Sequence, residues 1–157
     1  MNYKRTAFVI SMGSIMTILG IRCYKKQIQI LQANNNKLSD NYLLLNHWLE
    51  IKNEGHSAVE YFENMGYKHI AIYGMAELAD RLFEELENTD ICIEYGIDKD
   101  VSCTNSRIKE IYSLQDNLPM VDVIVVTPYY AFEGICKGLK EKIECPVISI
   151  EDVIWSI

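Results

Sequence analysis

Residues 69–86 read HIAIYGMAELADRLFEEL. The short apolar run His69 to Tyr73 predicts a strand, and Gly74 the turn that ends it. Beyond the turn, Leu78, Leu82, Phe83 and Leu86 recur at the spacing of one helical face, through to Asn88. Strand, glycine turn and helix make the first part of a βαβ unit. Ile91, Ile93, Tyr95 and Ile97 then alternate with Cys92, Glu94 and Gly96, the pattern of a second strand that stops at Asp98.

Working outward, a weaker third strand is expected around Ile108 to Tyr112. The run Val121-Asp122-Val123-Ile124-Val125-Val126 suits a fourth strand buried on both faces of a parallel sheet, ended by Thr127-Pro128. A helix from about Ala131 to Lys142, a strand Pro146 to Ser149 and a helical turn from Glu151 follow. Upstream, Ser57 and Glu60 have capping-box spacing, and Gly66 closes a short helix that carries Val59, Tyr61 and Phe62. The expected fold class is α/β, a Rossmann-like parallel sheet of about five strands. Right-handed crossovers make 3-2-1-4-5 the natural strand order. The expected domains are a membrane anchor over 1–23, a helical stalk over 24–54 and the Rossmann-like domain over 55–157.

In such a sheet ligands bind outside the carboxyl ends of strands one and four, where the strand order reverses. The candidate binding residues are therefore Gly74, Met75, Ala76, Glu77, Asp98, Thr127 and Tyr129. Backbone N–H groups after Gly74 can receive a phosphate at a helix start, and Asp98 stands where a carboxylate could hold ribose hydroxyls. Thr127 can donate to a phosphate or ribose, and Tyr129 can flank a base. Against this, Ala76 and Ala79 replace the second and third glycines of a dinucleotide fingerprint, and Glu77 brings negative charge close to the expected phosphate. Two readings stay open: a nucleotide site, or a frame that has lost or changed its ligand. For Asp98 alone, a turn-forming role is equally available.

Charge divides the chain. Residues 1–26 hold five Lys or Arg and no acid, while the remaining 131 hold ten basic and twenty-two acidic residues. A body near −12 disfavours nucleic acid; a basic leader flanking an apolar run suits an anionic membrane surface. The sixteen residues Thr6 to Ile21 carry no charge. As a helix they reach about 24 Å, against a hydrocarbon core of about 30 Å, a mismatch that snorkelling Lys4, Arg5, Arg22 and Lys25 can absorb. A single-pass membrane anchor is expected. A cleaved signal peptide is the competing reading, but no small-x-small site follows. Arg22 also spoils a lipoprotein pattern at Cys23.

Lysine and arginine bias leans toward a cytoplasmic globular domain. The five cysteines, Cys23, Cys92, Cys103, Cys136 and Cys145, lack zinc or redox spacing. They are read as reduced thiols, with Cys92 a small core residue. From Tyr24, apolar positions fall at Ile28, Leu31, Leu38, Tyr42, Leu45 and Leu49, and Asn35 fills the remaining slot of a 4-3-4-3 repeat. This seam fits a parallel homodimer with Asn35 setting register. Alternatively, Tyr24 to Leu38 is a solvated linker, Asn34 to Asn36 a helix break, and Leu43, Leu44, Trp48 and Leu49 pack on the chain's own domain.

The runs IAIYGMAELADRL, IEYGID, VDVIVVT and CPVISIEDVI resemble a bacterial module: the small Rossmann-like domains of nucleoside-diphosphate-sugar epimerase type, and the amino-terminal nucleotide-sugar-binding domains of sugar acyltransferases associated with surface-polysaccharide biosynthesis. The similarity covers roughly Leu43 to Ile157. It implies a nucleotide site at Gly74, Ala76 and Asp98, with an NAD(P)-type or nucleotide-sugar ligand and a glycan-assembly enzyme as partner. The expected function is a membrane-anchored binding module accessory to polysaccharide biosynthesis, the alternative a non-binding dimerisation or recruitment scaffold. An autonomous reductase or epimerase is a third reading. Its Tyr-x-x-x-Lys pair has one literal match, Tyr95 to Lys99, which straddles the end of strand two, away from where such a pair works. His47, His56 and His69 are scattered and are read as surface or interface residues.

Overall fold

The structure, a computed structural model, describes residues 3–100, 108 and 110–157, with side chains from residue 20 onward. The apolar run Thr6 to Ile21 therefore lies almost wholly outside the described side chains, and Cys103 lies outside the described residues. Among the described residues no helix is long and apolar enough to cross a membrane.

The chain divides into two compact units, Met1–Leu43 and Leu44–Ile157. In the first, helix α1 (Tyr3–Glu54) is unbroken through Asn34, Asn35 and Asn36. Asparagine is a weak helix former, but its deficit of several tenths of a kcal/mol per residue does not interrupt so long a helix. On this part of α1, Tyr24, Leu31, Leu38 and Tyr42 are each 65–68% exposed.

The second unit is an α/β domain. After the last turns of α1 come α2 (Ala58–Met65), β1 (His69–Tyr73), α3 (Glu77–Leu86), β2 (Cys92–Ile97), β3 (Ile111–Tyr112) and β4 (Val123–Val126). A 3-10 turn (Tyr129–Ala131), α4 (Phe132–Lys140), β5 (Val147–Ser149) and α5 (Ile150–Trp155) complete it. All strand pairs are parallel and the order is β3-β2-β1-β4-β5, as the crossover argument predicted. The third strand is shorter than expected, reduced to the two residues that face Gly96 and Ile97. At the head of α2 the Ser57 N–H donates to Glu60 Oε1, and Gly66 ends the helix at φ 74°.

A parallel sheet must be covered on both faces. Ile70, Ile72, Val123 and Val125 join one buried cluster with residues of α2, α3 and α5, and Ala71, Tyr73, Ile124 and Val126 join the other with Cys136 and Leu139 of α4. Leu44, Trp48 and Ile51, on the last turns of α1, belong to the first cluster. Burial of a large apolar side chain stabilises by roughly 1.5–3 kcal/mol, so these three are structural members of the domain.

Strand β2 departs from plain alternation. Ile70 pairs with Ile93 but Ala71 pairs with Tyr95, which leaves Glu94 as an extra residue in the register. The bulge turns Tyr95 and Ile97 toward the second cluster, whereas Ile91 and Ile93 face the first. Cys92, expected in the core, is exposed. It pairs with His69 at the amino edge of the sheet, where both residues open their strands in solvent.

Two carboxylates fasten the frame. Asp122 Oδ2 accepts from the Lys68 and His69 N–H groups at 2.8 and 2.7 Å, and these bonds hold its carboxyl below the usual carboxylate range. Glu85 is the more consequential. Its side chain is 2% exposed, and it accepts from Trp48 Nε1 and from the Ala58 N–H, both at 2.9 Å. One carboxylate thus joins α1, the start of α2 and α3. Lys52 Nζ stands 3.6 Å away. Glu85→Ala should lower the unfolding free energy by about 2–3 kcal/mol, because it strands two buried donors. Glu85→Gln, which keeps one acceptor, should cost less, and urea denaturation followed by tryptophan fluorescence reads both.

Candidate functional site

The reversal of strand order falls between β1 and β4, and four of the sequence-predicted residues, Gly74, Met75, Asp98 and Thr127, converge there. Gly74 leaves β1 with φ 88° and donates its N–H to the Ile97 carbonyl at 2.8 Å. Only glycine takes that backbone conformation without strain. The space is also closed to any other residue: a Cβ on Gly74 would lie 2.6 Å from Pro128 Cδ and 2.9 Å from Thr127 Oγ1.

Met75 donates its N–H to Asp98 Oδ2 at 2.9 Å. This is the first amide of the turn that would face an incoming phosphate, and the chain's own carboxylate holds it. Asp98 Oδ1 also accepts from the Asp100 N–H, so the residue combines a turn-forming role with its contact to the glycine loop. The Met75 thioether lies over Gly96, with its sulfur 2.7 Å from where a Cβ there would stand. Thr127 is buried, and its hydroxyl donates to the Gly74 carbonyl at 2.8 Å, with the Tyr73 carbonyl at 3.2 Å. Burial, and then the negative charge of Asp98, push the Tyr73 hydroxyl above its ordinary pKa.

Gly74, Met75, Asp98 and Thr127 are therefore brought together and bonded to one another. Ala76 follows as the extended residue before α3, its carbonyl accepting from the Ala79 and Asp80 N–H groups. Glu77 opens α3 and is exposed. Tyr129 turns elsewhere: its ring is buried in the first cluster and lines a cavity of about 650 Å³. That cavity lies at the carboxyl ends of β4 and β5, with Tyr130, Phe132, Glu133, Ser149, Glu151 and Asp152 also on its wall.

The Tyr95–Lys99 spacing gives no reactive pair. Tyr95 is buried and donates to the Pro119 carbonyl at 2.7 Å, and burial raises its pKa to about 12. A tyrosine working as a proton donor and acceptor needs the opposite shift. His47 stacks on Trp155 at 4.0 Å, His56 meets Glu60 at 3.0 Å and His69 meets Glu94 at 2.6 Å. Among the described residues no cluster of three or more His, Cys, Asp or Glu could hold a metal ion.

Two features escaped the sequence reading. Glu85 sits three residues after Leu82 and seven after Leu78, on the apolar face of α3, and an acid at that position is the signal of a buried carboxylate. The cavity wall joins the starts of α4 and α5, whose sequences carry no shared motif.

No family model, curated protein or solved structure matches this chain.

Gly74→Ala should cost more than Gly66→Ala. Both positions have positive φ, but a Cβ at Gly66 meets nothing within 4 Å. The expected loss is about 1 kcal/mol at Gly66, from backbone conformation alone. At Gly74 it should be about 2 kcal/mol or more, since overpacking adds to the same strain. Thermal melts of the two variants provide the comparison.

Proposed function

We propose that this chain is a self-associating recruitment scaffold, attached to a membrane through residues 6–21, whose α/β domain positions a partner protein. The observation that carries the reading is the exposed face of α1. Tyr24, Leu31, Leu38 and Tyr42 stand in the d and a positions of a heptad and are left in solvent. In that frame Ile28 and Asn35 take a positions and Leu31 and Leu38 d positions, the distribution that favours two parallel strands. The flanking e and g positions from Gln27 to Asn41, which are Gln27, Gln32, Asn34, Ser39 and Asn41, carry no charge. Two identical helices therefore meet without like-charge repulsion. A buried Asn35 pair would hold the register.

The Asp98 contact supports the scaffold reading from the other direction. A phosphate at the glycine turn would have to displace the carboxylate from the Met75 amide and settle beside Glu77. Both steps oppose anion binding. The resemblance to sugar-nucleotide modules supplies the setting, a Rossmann-like frame beside a cytoplasmic glycan-assembly enzyme.

Sedimentation equilibrium of the full chain in mild detergent tests self-association. We expect a dimer that Leu31→Glu with Leu38→Glu converts to monomer at unchanged helix content. A wild-type monomer at tens of micromolar protein would sink the reading.

Nucleotide binding is the second reading, favoured by the meeting of Gly74, with its positive φ, and Asp98 at the strand-order reversal. Thermal shift against NAD, NADPH, UDP and UDP-sugars separates the two. The scaffold reading expects no stabilisation by any of them and a lower melting point for Asp98→Ala. A saturable stabilisation by one ligand, lost in Asp98→Ala, would instead establish the nucleotide site.

A further inference from the structure

The cavity beside Tyr129 has a chemistry of its own. At about 650 Å³ it falls within the size range of small-molecule sites. Tyr129, 9% exposed, is fixed by burial and by its N–H bond to the Thr127 carbonyl. Its ring meets that of Tyr130 at 73° with centroids 6.0 Å apart, which gives the cavity an aromatic corner, and Phe132 adds a third ring to the lining. Glu133 from α4 and Glu151 and Asp152 from α5 supply three carboxylates. None of the three is in an ion pair among the described residues, and the lining contains no Lys, Arg or His.

From this arrangement we infer that the cavity binds an organic cation, an alkylammonium group seated against the Tyr129–Tyr130 corner and neutralised by the surrounding carboxylates. Aromatic faces attract an ammonium group through their quadrupole, more strongly as water is excluded. The acidic domain draws cations toward it and repels phosphates. A bare divalent ion is a poorer fit, since the carboxylates form no cluster of ligating geometry among the described residues. A diphosphate would meet three like charges. The inference is independent of self-association, because every wall residue belongs to the second unit.

Isothermal titration of the full chain in mild detergent tests it, with tetramethylammonium chloride and n-butylammonium chloride against sodium chloride at equal ionic strength. A saturable heat with at least one ammonium salt, absent with sodium chloride, is expected. Glu151→Gln and Tyr130→Ala should each weaken that binding roughly tenfold, as loss of one charge or one aromatic face implies. Both residues are exposed, so an unchanged melting point confirms that the variants fold. Tyr130→Phe keeps the ring and should keep the binding, and Glu87→Gln, at the end of α3, should leave it unaltered. No saturable heat above sodium chloride would overturn the inference, as would binding indifferent to both Glu151→Gln and Tyr130→Ala. Tighter binding of sodium pyrophosphate than of either ammonium salt would also overturn it.

Discussion

Glu85 places a carboxylate inside the protein, and a buried carboxylate must find donors. It finds them in Trp48 Nε1 and the Ala58 amide, on two other helices. The consequence reaches beyond three residues. The first face of the sheet is covered by α2, α3 and α5 together with Leu44, Trp48 and Ile51 of α1, and Glu85 sits where three of those helices converge. Because hydrogen bonds are directional, the carboxylate selects one arrangement of these helices where apolar contact alone would accept several.

Much of this architecture is legible in the sequence, for reasons that can be stated element by element. The glycine turn, the continuous apolar run of β4 and the right-handed crossover rule together yield the strand order. The Ser57–Glu60 spacing and Gly66 mark the ends of α2 because helix ends are local chemistry. What is not legible depends on pairing. The shift in β2 requires knowing that β1 passes over Glu94 in the pairing, and Cys92 looks like core until its position at the sheet edge is known. The sequence also leaves two roles open for Asp98, ribose ligand or turn former. In the structure it forms the turn and also bonds to the Met75 amide.

The candidate site follows the same division. That Gly74, Asp98 and Thr127 would meet follows from topology. That they would bond to one another is a matter of a few ångströms, which spacing along a chain does not encode. Tyr129 illustrates the limit: it follows β4 as expected, but its ring enters the first core cluster and a separate cavity, whose other walls come from the start of α4, the end of β5 and the start of α5.

The extra residue in β2 works as a change of parity. Side chains on a strand alternate, so one residue passed over in the pairing exchanges inside for outside for every residue after it, relative to plain alternation along the sequence. Before Glu94 the strand serves the face covered by α3; after it, Tyr95 and Ile97 serve the face covered by α4, and Gly96 and Asp98 take the side on which Met75 lies. The same strand without the bulge would keep its hydrophobic content and its loop lengths. It would nevertheless leave Tyr95 and Ile97 on the side of Ile93, present Asp98 to the wrong side of the sheet and return the Met75 amide to solvent, so the occupancy of the glycine turn is set by a break in the alternation of the neighbouring strand.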